Sequence, residues 1–188
     1  MAAKSNITNM VLCLGLTCLA CSAVLAGVNA VTKDTIDETK ARLEAASVQA
    51  VLPAGGVISE SKNLEVGGQP SEYYVSVKDS VTVGYAVKST VSGFGGALTL
   101  MVGLTPDGVV YNTNVLSHSE TPGLGAKCET DKKFMSQWQG FNPAEKILSV
   151  KKDGGDVDAI TASTITSRAY TLAVKNACEA VKSISGGN

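Results

Sequence analysis

From Ser5 to Thr32 the chain runs 28 residues without a charged side chain, and Met10 to Val28 is almost wholly apolar. At ~1.5 Å of rise per residue, a helix of that length crosses a hydrocarbon core of roughly 30 Å. The segment therefore does not belong to a polar-surfaced domain, and it divides the chain. Three readings compete for it: a membrane anchor, a cleaved signal peptide and a lipoprotein signal. A signal peptide has an apolar region of about 7–15 residues behind a charged start. Here the run is longer and only Lys4 precedes it, although Asn29-Ala30 imitates a cleavage site. A lipoprotein signal needs an aliphatic residue three positions before its cysteine, where Cys21 has Cys18 and Cys18 has Gly15. Length favours the anchor. Lys4 weakly favours a cytoplasmic amino terminus, a signal blunted by Lys33, Lys40 and Arg42 on the far side. The organisation expected is an anchor over 1–32, a linker helix and loop over 33–70, and a domain over 71–188.

The linker begins with the capping types Thr32 and Asp34 and then reads helical to Val51, with Ile36, Leu43, Ala46 and Val51 as packing positions. The breaker-rich stretches Pro53–Gly56 and Gly67–Pro70 follow. Alternating or β-branched runs at Tyr73–Val77, Val81–Val87, Ala97–Val102 and Val109–Leu116 predict strands. Thr105-Pro106-Asp107-Gly108 is a turn signal that makes the last two a hairpin. Lys132–Gln139 reads as a short helix and Ile147–Lys151 as a further strand. The clearest helix is C-terminal: Ile165, Ala169, Leu172, Ala173, Ala177, Ala180, Val181 and Ile184 recur on one face, ending at Gly186-Gly187. The fold class expected is α+β, a single N-terminal transmembrane helix followed by a mainly antiparallel sheet packed with helices.

Charge excludes one class of partner. With 16 Lys+Arg against 17 Asp+Glu and no basic run, the chain offers nothing to neutralise a row of phosphates, so nucleic acid is not an expected partner. Cys13, Cys18 and Cys21 lie in the apolar segment, Cys128 and Cys178 beyond it. None has the spacing of a zinc or iron–sulfur site. Whether Cys128 and Cys178 are bonded or free is open at this level. Asp153, Asp156 and Asp158 alternate like a calcium loop but lack the later Glu, so a solvated turn is the better reading.

Two motifs carry chemistry. At the start of the C-terminal helix stand Asp158-Ala159-Ile160-Thr161-Ala162-Ser163-Thr164-Ile165-Thr166-Ser167. A helix N-terminus has unpaired N–H groups and partial positive charge, which favour a phosphate. Thr161, Ser163, Thr164 and Thr166 add hydroxyls, more than one cap requires. The bland alternative is that they only cap the helix. The second motif, His118-Ser119-Glu120-Thr121-Pro122-Gly123-Leu124-Gly125, is a turn whose glycines permit positive φ or close backbone approach, suited to pressing against a flat ring. Its bland alternative is an ordinary connector. His118, the only histidine, reads as loop-bracing rather than as a base.

Together these motifs resemble the FMN-binding domain shared by the G subunit of Rnf complexes and the C subunit of sodium-pumping NADH:quinone oxidoreductases. The helix start resembles that family's flavinylation motif, Asp, two residues, Ser/Thr-Gly-Ala-Thr, a residue, then Ser/Thr. Asp158, Thr161 and Thr164 fall on its positions, while Ala162 stands for Gly and Ser163 for Ala. Glu120–Gly125 matches the family's flavin-facing loop completely, and Gly93-Phe94-Gly95-Gly96 looks like its glycine-rich turn, read here as structural. The length is closer to the Rnf G subunit.

The resemblance implies covalent FMN, esterified through its phosphate to Thr164 by a separate flavin transferase. Thr161, Ser163, Thr166, Glu120, Thr121, Pro122, Gly123, Leu124 and Gly125 would surround it. It implies an electron-transfer subunit of an ion-translocating ferredoxin:NAD oxidoreductase, partnered by other membrane subunits. The chain would be single-pass in the inner membrane with its domain on the extracytoplasmic side. The competing readings are a membrane-tethered binding domain with both motifs structural, or a flavoprotein serving another acceptor independently of an ion pump.

Overall fold

The computed structural model describes residues 7–66 and 69–185, so Lys4, Gly67-Gly68 and the Gly186-Gly187 helix end lie outside the described residues. It divides into two compact units, residues 1–42 and 43–188. Helix α1 runs unbroken from Ile7 to Val51. The expected helix start at Thr32 is thus absent: the Thr32 hydroxyl donates to the Val28 carbonyl one turn back, 2.8 Å away, as does Thr39 to Thr35. A hydroxyl with a helical carbonyl in reach does not have to cap. In the first unit the apolar stretch is exposed throughout, with a mean hydropathy of 2.3 over its most apolar window, so the unit is one helix long and apolar enough to cross a membrane.

The second unit is built on a six-stranded antiparallel sheet: β1 (Val57–Ile58), β2 (Lys62–Val66), β3 (Gln69–Lys78), β4 (Val81–Ser92), β5 (Ala97–Leu104) and β6 (Val110–His118). The order is β1-β3-β4-β5-β6, with β2 also on the β1 edge of β3. Leu104 faces Val110 across the expected hairpin. Helices α2 (Lys127–Thr130), α3 (Lys132–Ser136) and α4 (Thr164–Ser185) complete the unit. The α+β class and the antiparallel sheet are as the sequence predicts. β1 and β2 are additional, because short edge strands carry too few alternating residues to show a period.

Alternation along β5 sorts its side chains to two faces. Leu98, Leu100, Val102 and Leu104 join the main core, against Ala169, Tyr170, Ala173, Val174, Ala177 and Val181 of α4. Met101 points the other way and packs with Ala86, Val48, Val51 and Leu52 at the end of α1. Position 103 falls on that second face and is glycine, since a Cβ there would lie 1.7 Å from the Val51 carbonyl oxygen. Glu44 ties the same helix end to the sheet, accepting from Tyr74 Oη at 3.0 Å and Lys88 Nζ at 2.8 Å, while Lys88 also reaches Glu72 at 3.0 Å. Desolvation, then the Glu44 hydrogen bond, pushes the Tyr74 phenol up to about 12.

Several expected packing positions are corrected. Ile36, Leu43 and Ala46 are exposed, and Ser47 and Val48 are buried with Val51 instead. On α4, Ile165 and Leu172 are half-exposed, whereas Tyr170, Val174 and Cys178 fill the core. The buried arc is centred further round the helix because Tyr170 reaches the aromatic cluster of Phe134, Trp138 and Phe141. Asp131 caps α3 by accepting from the Lys133 and Phe134 amides, and the helix stops at Ser136 rather than Gln139. Ile147–Lys151 is not a strand. Val150 makes one isolated bridge to Val157, and Lys151–Asp153 forms a 3₁₀ turn ending on Gly154 at φ +81°. Cys128 and Cys178 are free and buried; desolvation raises their thiols to about 11 and about 12.

Candidate functional site

The loop after β6 is organised around a buried carboxylate. Glu120 is 5% exposed. Its Oε1 accepts from the Phe94 amide at 2.8 Å, and its Oε2 accepts from Thr166 Oγ1 at 2.8 Å. One side chain thus joins the β4–β5 turn to the first turn of α4. Glycines make the room: a Cβ on Gly93 would fall 1.9 Å from Oε1, and one on Gly125 2.5 Å from Oε2 and 2.7 Å from Thr166 Oγ1. A buried carboxylate needs such donors, because leaving one without partners costs several kcal/mol, about the whole margin of a small domain.

The loop is braced from behind. The Glu120 amide donates to His118 Nδ1 at 3.2 Å, and His118 Nε2 meets Glu129 Oε2 at 3.2 Å. Both contacts are made by the neutral tautomer with its proton on Nε2. Thr121 O accepts from the Leu124 and Ala126 amides, and Gly123 takes φ +76° in the turn between them. Of the two glycines, then, one supplies the left-handed conformation and the other the close approach.

The start of α4 is the facing wall. Ser163 N donates to Ile160 O, and Ser167 Oγ bridges, accepting from Ile160 N at 2.9 Å while donating to Ser163 O. Ala162 sits at φ +62°, the left-handed region where glycine is at ease and a Cβ is crowded. That conformation gives a physical reason for the family's glycine at this position. The four hydroxyls have different fates. Thr161 is exposed, Thr166 is buried and bonded to Glu120, and Thr164 is half-buried. Ser163 is 7% exposed, and its Oγ has no hydrogen-bond partner among the described residues.

Between the walls lies a cavity of about 330 Å³, within the range of small-molecule sites. Glu120, Thr121, Leu124 and Gly125 line one side and Ser163, Thr164 and Thr166 the other. The expected site residues Thr161, Pro122 and Gly123 do not line it: Pro122 and Gly123 are exposed in the turn, and Thr161 is exposed ahead of the helix. Phe94, Ala162 and Ile165 line it unanticipated. The glycine-rich turn at Gly93–Gly96 is therefore more than a connector, since it carries Phe94, 66% exposed, to the cavity mouth. An aromatic set among glycines is the signal the sequence offers. Ile165, which the apolar period puts on the core face, is half-exposed and lines the cavity instead.

The second side of the α4 start is a clamped turn. Asp153 takes a bidentate contact from Arg168, with both N–O distances 2.6 Å, and Lys151 pairs with Asp158 at 2.8 Å. Asp153 and Asp158 are held below the usual carboxylate range, chiefly by those hydrogen bonds from Arg168 and Lys151. Asp156 accepts from the Ile147 amide. The three acids thus serve three separate contacts on an exposed turn, not one ligand set. Lys152, directly ahead of them in the chain, directs Nζ to Thr164 Oγ1 at 3.3 Å.

The residues suit a flavin mononucleotide: an apolar mouth of Phe94, Leu124 and Ile165, a helix N-terminus, an unpartnered buried hydroxyl and a cation. Comparisons agree with that chemistry. Residues 93–179 match the FMN-binding domain family. The chain is 31% identical over 175 residues to the G subunit of the proton-translocating ferredoxin:NAD(+) oxidoreductase complex of Clostridium ljungdahlii, covering 93% of this chain and 91% of that one. It is 36% identical to the G subunit of the ion-translocating oxidoreductase complex of Escherichia coli K12, covering 83% and 82%. With the G subunit of the Na(+)-translocating ferredoxin:NAD(+) oxidoreductase complex of Acetobacterium woodii it shares 32% identity, covering 92% of both. Among solved structures, NqrC of Shewanella oneidensis shares the fold, with a TM-score of 0.50 at 21% identity over 63% of this chain and 62% of that one. The chain belongs to the family of G subunits of ion-translocating oxidoreductase complexes, and its residues 93–179 form an FMN-binding domain.

Proposed function

We propose that the chain is an electron-transfer subunit of a membrane ion-translocating ferredoxin:NAD oxidoreductase, carrying FMN as a phosphoester on Thr164. One observation carries the assignment to Thr164. Of the three clustered hydroxyls that line the cavity it is the accessible one: Thr166 is buried and bonded to Glu120, Ser163 is 7% exposed, and Thr164 is half-buried with its hydroxyl meeting only Lys152. The α4 N-terminus favours the phosphate, and the Ser163 hydroxyl is a donor without a partner. In forming the ester, the Thr164 oxygen bonds to the flavin-side phosphorus of a flavin dinucleotide. The pyrophosphate P–O bond breaks, the nucleoside monophosphate leaves, and the hydroxyl proton passes to a base of the flavin transferase. Bound FMN supplies one- and two-electron transfer, and the protein supplies position and shielding. Phe94, Leu124 and Ile165 would exclude water from the ring, and Glu120 would tie the two walls together.

In this reading α1 anchors the chain as a single pass in the inner membrane, with the domain on the extracytoplasmic side beside other membrane subunits. Co-expression with a flavin transferase tests the chemistry. The denatured protein should fluoresce on a gel and gain the mass of one FMN less water. Thr164→Val should abolish both signals and Thr164→Ser should retain them. Labelling that persists in Thr164→Val would move the acceptor to Ser163 or Thr166 and overturn the assignment.

A further inference from the structure

Lys152 stands outside the matched flavinylation motif, yet its Nζ donates to the Thr164 hydroxyl at 3.3 Å. Its turn is fixed by the backbone. Lys151 N donates to Val157 O, Asp153 N and Gly155 N both donate to Val150 O, and Gly154 N donates to Lys151 O. A Cβ on Gly155 would lie 2.0 Å from Ser149 O, so the turn is packed down on the chain beneath it. The Asp153–Arg168 clamp then fastens it to α4, one helical turn beyond Thr164.

Charge sharpens the picture. Lys151 is matched by Asp158, and Asp153 by Arg168. Among the described residues, Lys152 has no carboxylate within 4.0 Å. Two ion pairs therefore flank one cation that makes no ion pair of its own, held beside a hydroxyl and a helix N-terminus. The unpartnered Ser163 Oγ, buried on the same cavity wall, is an independent sign that this corner is completed by a ligand with acceptor oxygens. An ammonium on a flexible stem suits a phosphate as a point charge.

The geometry points to Lys152 as the positioning cation of the Thr164 site, orienting the hydroxyl before the phosphoester forms and pairing with the phosphodiester afterwards. This rests on the reading of Thr164 as the FMN acceptor. The Arg168–Asp153 clamp is its support, keeping Lys152 over Thr164 and cancelling the acid that would otherwise compete for it.

The test uses the full chain in detergent with purified flavin transferase, magnesium and FAD, reading the initial rate of mass gain. Lys152→Gln should label about tenfold more slowly, the usual worth of one charge-assisted contact. Lys152→Arg should stay within about threefold of the wild type, since it keeps the charge. After exhaustive labelling, the ³¹P resonance should move in Lys152→Gln and return toward the wild-type position in Lys152→Arg, which a merely structural role would not produce. Lys152 is exposed, so both variants should unfold at the wild-type denaturant midpoint. A wild-type chain that gains no mass sinks the acceptor reading itself. Labelling of the wild type at a rate matched by Lys152→Gln, a loss shared equally by Lys152→Arg, or an unmoved ³¹P resonance overturns the role of Lys152 and leaves Thr164 standing.

Discussion

The two walls of the cavity come from the two sequence motifs, and they use their polar groups in opposite ways. On the loop wall, Glu120 is committed within the protein, both carboxylate oxygens accepting from the chain itself. On the helix wall, the Ser163 hydroxyl has no partner and the Thr164 hydroxyl meets only the tip of a surface lysine. The better-matched motif is therefore the scaffold, and the less well-matched one presents the chemistry. A motif can be fixed by the fold's need for a strut as firmly as by a ligand.

Three experiments break or sharpen that comparison. The largest effect is expected from Glu120→Ala, which orphans the Phe94 amide and the Thr166 hydroxyl and empties a buried site. Destabilisation of about 3 kcal/mol should result, read by denaturant unfolding through the fluorescence of Trp138, the only tryptophan and fully buried. Unchanged stability with lost flavin loading would make Glu120 a ligand contact and dissolve the contrast. Next comes the pair Thr166→Val and Thr164→Val. The first should cost about 2 kcal/mol by leaving Glu120 Oε2 without its donor, the second less than about 0.5 kcal/mol. Equal costs would mean both hydroxyls belong to the framework. The smallest is Ala162→Gly: relief of the positive φ, partly offset by the freer unfolded chain, should stabilise by about 1 kcal/mol, raising the melting temperature by about 2–4 °C. A lower melting temperature would show that the Ala162 conformation carries no cost.

Much of this was legible because it is written in short-range pattern. The β5 alternation placed four side chains on one face whatever packed there, and the Thr105–Gly108 turn set the hairpin. Elsewhere the pattern was silent or misleading. Thr32 and Asp34 look like caps, yet the helix continues, since nothing at that point stops it. Ile165 and Leu172 fit the apolar face of α4, but the aromatic cluster round Tyr170 turns the helix so that they stay half-exposed. Phe94, remote in sequence from both motifs, reaches the cavity only because the Gly93–Gly96 turn folds over Glu120.

The sequence by itself determined that an uncharged apolar segment precedes a mixed domain with an antiparallel sheet, and that hydroxyls cluster at a helix start. Composition, period and spacing are properties of neighbouring residues. Only the tertiary structure decided how each hydroxyl is placed and partnered. Thr161, Ser163, Thr164 and Thr166 are chemically near-equivalent along the chain. They differ because a carboxylate 46 positions upstream of Thr166 claims that hydroxyl, while Lys152 is brought to Thr164 across a clamped turn. Contacts between distant residues separate like groups, and no local pattern encodes them.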